Sequence, residues 1–214
     1  MKWFPSRVTV APTTEPVTVA QARQQCGLDE GDASRDTALS QFIASARAEV
    51  ENECSIRLIR QTVSMQCDDF RALGFLPAAP ILDPDTVEIA YVDAAGVTRA
   101  VDGDVFEVHA DDLDPKITLR FGRQWPSIQP GSRVTVTAVL GFGDSGTSVP
   151  PPLISAMLLK IGMKAGMSGR DLLIRTDDVD GVGSTTYGGI VEVSTAHERA
   201  ISSLLAHYQR WPLT

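Results

Sequence analysis

Apolar residues recur at two spacings along this chain, every three to four positions near both ends and every second position between them. The wider spacing predicts amphipathic helices. A shorter helix is expected to start at Thr18, which has capping-box spacing with Gln21, and to end at Gly27. The clearest helical stripe comprises Leu39, Phe42, Ile43, Ala46, Val50 and Cys54.

Two further helices are expected in the C-terminal part of the chain. Pro150–Pro152 stops the preceding segment and suits the first turn of a new helix. The last helix is expected to begin at Thr195, which has capping-box spacing with Glu198, and to end at Pro212. The apolar faces of these two helices comprise Ile154, Met157, Leu158, Ile161 and Ala165, and then Ile201, Leu204, Leu205, Tyr208 and Trp211.

Between these helical segments the spacing of two is typical of half-buried strands. The turns between the strands are short, and parallel pairs need long crossovers, so the sheet is expected to be antiparallel. The candidate strands are residues 59–67, 87–92, 97–101, 105–109, 117–121 and 133–140.

This order of elements predicts an α+β fold, in which a small helical bundle of four main helices carries an inserted antiparallel β-sandwich or barrel-like domain. Residues 1–57 and 149–214 are expected to form the two halves of the helical part, and residues 58–148 the β-domain. Within the second half, residues 168–194 are rich in Gly, Asp, Ser and Thr. They predict a long loop, with short strands near 172–175 and 190–193.

Composition excludes several classes of protein. Apolar residues make up 43% of the chain, which is enough for a core, and no apolar run approaches the roughly 18–20 residues of a membrane span. The N-terminus lacks the apolar segment of a signal peptide, so we expect a protein of the cytosol. Cys26, Cys54 and Cys67 show no metal-ligand spacing and are expected to be buried free thiols. The formal net charge of −8 disfavours tight nucleic-acid binding.

Motifs that resemble catalytic or binding sites are incomplete. Gly141–Gly146 matches a dinucleotide-binding fingerprint, but no helix opens inside the motif, so a glycine-rich turn between strand and helix is expected. His197 and Glu198 lack the second histidine of a zinc-protease motif. Asp178 and Asp180 imitate part of a calcium loop, without its first and last ligands. We therefore expect no enzyme, no metal and no cofactor.

Several segments, taken in order, resemble the head–tail connector (adaptor) family of tailed phages, prophages and gene transfer agents. None of these segments is catalytic, and their order and spacing together carry the likeness. The departure from the family pattern is the long loop of residues 168–194. The matching segments are Glu15–Ala22, Ala46–Glu51, Leu58–Thr62, Ile89–Gly96, Phe121–Pro126, Val134–Gly143, Val149–Pro150 with Leu153–Met163, and Leu204–Trp211.

The resemblance implies a structural part of the virion neck, assembled in the host cytoplasm after DNA packaging. Copies of the chain would form a ring, generally twelve-fold, below the portal protein and above a stopper or tail-terminator ring. DNA would pass through the lumen without specific binding, and neither a membrane nor a reaction is implied.

Two groups of residues are candidates for that role. Tyr208, Arg210 and Trp211 are candidates for docking on the portal, because aromatic residues and arginine dominate interfaces; packing of the two aromatic residues in the core remains the alternative. Asp177, Asp178 and Asp180 are candidates for an acidic lining of the lumen that DNA does not adhere to. An exposed loop without that role remains the alternative for these three.

Three other functions stay open at this point. A stopper or other tail-completion protein is expected to be β-rich without flanking helices. A ligand-binding β-module on a helical scaffold would present an exposed platform from among Tyr91, Phe106, Phe121 and Trp125. A hydrolase would use the acidic cluster that contains Asp111, Asp112 and Asp114.

Overall fold

Helices and antiparallel strands alternate in the part of the chain that the computed structural model describes, which is residues 2–29, 31, 33–111, 113–168, 176–179, 183–186 and 190–210. The helices are α1 (Val19–Gln25), α2 (Asp36–Cys54), α3 (Pro151–Ser168) and α4 (Ile190–Leu205). The strands are β1 (Arg7–Val10), β2 (Gln61–Cys67), β3 (Glu88–Val92), β4 (Thr98–Ala100), β5 (Phe106–His109), β6 (Lys116–Leu119), β7 (Val134–Leu140), β8 (Thr176–Val179) and β9 (Gly183–Thr186).

The largest sheet has five strands in the order β1-β2-β7-β3-β4, and every neighbouring pair is antiparallel. Its centre is the pair β2–β7, which stays in register from Gln61 opposite Leu140 to Cys67 opposite Val134. Both central strands alternate strictly between buried and half-buried residues. That alternation is the physical basis of the spacing of two in the sequence.

A two-stranded sheet of β5 and β6 contributes Phe106 and Ile117 to the same hydrophobic core as the five-stranded sheet. The α+β class and the antiparallel pairing are therefore confirmed. In the described part of the chain neither sheet closes on itself, so the barrel-like form is not confirmed.

Two segments differ from the prediction. Residues 7–10 lie in the part predicted to be helical, but they form β1, whose four residues are all exposed and show no buried-exposed alternation. Residues 190–193 were predicted to be a strand and instead begin α4, so Thr195 lies inside this helix and not at its start. The strands at residues 176–179 and 183–186, which pair with each other, were not predicted. The predicted strand at 172–175 lies outside the described residues.

Two compact units divide the chain. Unit 1 contains residues 1–14, 51–149 and 208–214, and unit 2 contains residues 15–50 and 150–207. Unit 1 holds the β-sheets β1 to β7. Unit 2 holds α1, most of α2, α3, α4 and the hairpin of β8 and β9, so both units draw on the N-terminal and the C-terminal parts of the chain.

Local signals position the helices of unit 2. The predicted capping box is confirmed, since the Gln21 N–H donates to Thr18 Oγ1 and the Thr18 N–H donates to Gln21 Oε1. Arg47 Nε lies 2.8 Å from Glu15 Oε2, which ties α2 to the segment before α1. Partial burial raises the pKa of Glu49, but the hydrogen bonds from Lys164 and Ser45 and the charges of Lys164 and Lys160 together lower it.

The end of α2 is fixed by a buried carboxylate in unit 1. Glu51 Oε1 accepts hydrogen bonds from the Leu58 N–H and from Gln61 Nε2, both at 2.9 Å. The backbone carbonyl of Glu51 accepts a hydrogen bond from the Ile56 N–H. Ser55, the residue before Ile56, has a φ of 56°. This is a helix C-terminal motif in which the left-handed residue is normally glycine. It turns the chain out of α2 and toward β2.

The glycine motif at residues 141–143 is a point of close backbone contact. Gly141 has a φ of 131°, and a Cβ at this position would lie 2.6 Å from the carbonyl carbon of Ile59. The Phe142 N–H donates to Leu58 O, and the Arg60 N–H donates to Gly143 O. The predicted glycine-rich turn is confirmed: it serves packing between two backbone segments, and α3 begins only at Pro151.

Replacing Gly141 with alanine should lower the free energy of unfolding by about 3 kcal/mol or more, because the new Cβ meets backbone atoms that have no room to move and the φ is unfavourable. Gly103→Ala is the matched control, since a Cβ there meets no atom within 4 Å. It should change stability by less than about 0.5 kcal/mol. Urea denaturation of the two variants measures the difference, and equal effects would contradict this role for Gly141.

Candidate functional site

The C-terminal end of the described chain is held against unit 1 by Arg210. Its Nη2 donates to Leu76 O at 2.8 Å, and its backbone N–H donates to Cys54 O at 3.3 Å. The guanidinium also lies over the Phe75 ring, with Cζ 5.1 Å from the ring centroid. Burial lowers the pKa of Arg210, against an opposing effect of Asp114. Arg210 thus joins the chain end to the segments that follow α2 and β2.

The other docking candidates flank this anchor. Tyr208 is half-buried, and Trp211 lies outside the described residues. The contacts of Arg210 show that it binds carbonyl groups of its own chain. The docking role of the three residues stays a prediction.

Two of the three acidic candidates lie on β8, which pairs with β9. Asp177 is paired with Thr185 and Asp178 with Ser184 in the antiparallel register, and Asp180 lies outside the described residues. The predicted loop thus contains a short hairpin. Whether it lines a lumen stays a prediction.

Residues considered for catalysis are engaged in local structure. His109 Nε2 lies 2.9 Å from Thr118 Oγ1, its diagonal neighbour on the adjacent strand β6. The Asp114 N–H donates to Asp111 O within a turn, and Asp112 lies outside the described residues. Among the residues that the structure describes, no three histidine, cysteine, aspartate or glutamate side chains are grouped to hold a metal ion.

The cysteines are free thiols with different exposure. Cys54 and Cys67 are buried as predicted, whereas Cys26 is only half-buried. Burial raises the pKa of Cys67 to about 11, so this thiol stays protonated at neutral pH. A protonated, buried thiol is a poor nucleophile.

The aromatic residues of the β-domain do not form an exposed platform. Trp125 stacks on Phe70 with ring centroids 4.8 Å apart, Tyr91 meets the same ring edge-on, and Phe106 is buried. Phe121 is the exception, because its side chain is fully exposed. Phe121 and Trp125 belong to one sequence motif, yet Trp125 packs against the core and Phe121 lies on the surface.

None of the described helices combines the length and the apolar character that crossing a bilayer requires.

Comparison with known proteins finds likeness in structure and none in family models or curated sequences. No family model matches the chain, and no curated protein matches it. A chain from the neck of an empty gene transfer agent (GTA) particle, computed with C6 symmetry, has a TM-score of 0.71 and 23% identity over 99% of this chain and 98% of that one.

Two related structures give the same result. A chain from the virion of a native GTA particle has a TM-score of 0.69 at 23% identity. A chain from the neck of a native GTA particle, computed with C12 symmetry, has a TM-score of 0.69 at 21% identity. Each of these two matches covers 99% of this chain and 98% of the matched chain.

This chain has the fold of a GTA neck protein. The resemblance inferred from the sequence is thereby confirmed at the level of the fold, over both units and nearly every residue of each chain.

Proposed function

We propose that this protein is a head–tail connector, a structural part of the neck of a tailed phage or gene transfer agent. Copies form a closed ring between the portal protein and a stopper or tail-terminator ring, and the ring extends the DNA channel. The observation that carries the proposal is the match of 99% of this chain to 98% of chains in GTA neck structures. Two of those structures were computed with C6 and C12 symmetry.

The physical character of the chain suits a part that works through contacts. Identical copies meet head to tail, and such contacts close into a ring when the rotation between copies divides a full turn. Each contact can be weak, because many copies docking on one symmetric partner gain affinity together. The close backbone contact at Gly141 and the hydrogen-bonded, buried Glu51 stabilise unit 1 from within.

The docking candidates at the C-terminus belong to this proposal. Arg210 is bound to the carbonyls of its own unit, so the residue that directly precedes residues 211–214 is held in place. Residues 211–214 follow directly and include Trp211, a residue type enriched at interface centres. We propose that these residues contact the portal while Arg210 orients them.

A protein ending at Arg210 should bind the cognate portal at least about tenfold more weakly, because it lacks Trp211 but keeps the Arg210 anchor. Electron microscopy and co-sedimentation of the portal mixed with each protein measure this. Arg199→Ala, an exposed change on α4, is the control and should bind like the wild type. Unchanged portal binding by the shortened protein, with an unchanged melting temperature, would remove the docking role.

The acidic hairpin belongs to the DNA channel in this proposal. Asp177 and Asp178 lie on β8, and carboxylates along a channel repel the phosphates of passing DNA. The net charge of −8 agrees with a wall that does not bind DNA tightly.

Particles carrying Asp177→Lys with Asp178→Lys should release their DNA severalfold more slowly than wild-type particles, because lysines bind phosphates. The slowing should shrink as salt is added. Asp85→Lys with Glu88→Lys, exposed acidic residues of unit 1, is the matched control. Normal release by fully assembled particles of the first variant would contradict a lumen position.

A further inference from the structure

The C-terminal end of α2, which belongs to unit 1, carries charges that do not suit a helix end. The last turn of α2 contains no basic residue, and Glu51 and Glu53 lie near this end. Negative side chains are unfavourable there, because the C-terminal end of the helix dipole is itself negative. The next residue, Ser55, has a φ of 56°, a conformation that favours glycine. A cation from elsewhere in the chain would therefore stabilise this end.

Arg210 supplies that cation from the other end of the chain. Its backbone N–H donates to Cys54 O at 3.3 Å, and its Nη1 donates to Ser55 O at 3.4 Å, across 155 residues of sequence. The last carbonyls of a helix have no partner within the helix, and an arginine that donates to them also interacts favourably with the dipole. Arg210 thus has the position of a C-cap for α2, although it does not belong to that helix.

The same side chain holds a second backbone segment beside the turn that follows α2. Nη2 donates to Leu76 O at 2.8 Å, and Cζ lies 5.1 Å from the centroid of the Phe75 ring. Three residues after Leu76, Ala79 O accepts directly from the Arg57 N–H at 2.7 Å. The turn and this segment are therefore connected by their own backbones and also through Arg210.

These contacts depend on the shape and charge of arginine. The two Nη atoms of Arg210 donate to carbonyls of two different segments, which the single ammonium group of a lysine cannot do from one position. The side chain is half-buried, and hydrogen bonds from a charged donor contribute more than those between neutral groups. Loss of these bonds should therefore have a measurable effect on the turn.

We propose that Arg210 couples the end of the chain to the turn between α2 and β2, so that the two are held or released together. When the chain end leaves its place, the carbonyls of Cys54, Ser55 and Leu76 lose this donor and the turn opens more often. A partner that binds residues 211–214 keeps Arg210 in place and so protects the turn, and coupling of this kind is reciprocal. This last step rests on the proposed function, in which the partner is the portal.

Hydrogen exchange of the free protein tests the cap without the portal. The Ile56 and Leu58 amides report on the turn, because both donate to Glu51. In Arg210→Gln these two amides should exchange about tenfold faster, since the turn opens more readily without its cap. The amides of β3 and β4 should change by less than about twofold, because the contacts of Arg210 described above lie elsewhere in unit 1.

Arg133→Gln is the matched control. Arg133 also belongs to unit 1, with Cζ 3.8 Å from the centroid of the Phe4 ring and Nη1 3.0 Å from Gln66 Oε1. The change removes a ring contact and a hydrogen bond of the same kind, so the turn amides should exchange as in the wild type. If Arg210→Gln does not fold, Arg210→Lys keeps the charge without the two-pronged geometry and should show the same pattern to a smaller degree.

Faster exchange at the turn in the Arg210 variant, with β3, β4 and the control unchanged, supports the cap. No change at the turn, or equal acceleration at the turn and in β3 and β4, overturns it.

Adding the cognate portal tests the coupling. The portal should slow exchange of the Ile56 and Leu58 amides severalfold in the wild type and leave it unchanged in the protein that ends at Arg210, which lacks the residues that the portal would hold. A portal that co-sediments with the wild type without slowing this exchange, or that slows it equally in both proteins, overturns the coupling. A portal that does not bind the wild type contradicts the proposed function, while exchange in the free protein still decides whether Arg210 caps α2.

Discussion

The geometry of unit 1 depends on one buried carboxylate, that of Glu51. A buried charge is costly unless hydrogen bonds compensate it, and Glu51 accepts from the Leu58 N–H and from Gln61 Nε2. These bonds fix the direction in which the chain leaves α2 and enters β2. Because β2 pairs with both β1 and β7, this turn sets where a central strand of the five-stranded sheet begins.

Strong periodicity made the centre of the fold predictable. β2 and β7 alternate buried and half-buried residues, and the apolar stripe of α2 covers about four turns of helix, so pattern and structure agree there. β1 was missed because four exposed residues on a sheet edge have no buried face to show a period. The start of α4 was missed because residues 168–194 have the composition of a loop. That composition is an average over the segment, which contains strands and the first residues of α4 as well.

The candidate functional residues depend on contacts between distant parts of the chain, which local patterns do not contain. Arg210 meets the carbonyl of Leu76, 134 residues away, and no spacing in the sequence indicates that pair. Phe121 and Trp125 lie four residues apart in one motif, yet Trp125 stacks on Phe70 and Phe121 is exposed. The resemblance to connector proteins came from the order of several short segments. It agrees with the fold, whose matches to chains of GTA particles are at most 23% identical.

The proposed function puts each copy of the chain at one place in a closed ring of identical copies. A cryo-electron microscopy reconstruction of the neck of particles from producing cells tests it most directly. We expect a ring of density next to the portal. Copies of the chain, related by rotation and each containing both units, should fit into it. Particles that contain the portal and tail but show no density for this chain between them would contradict it.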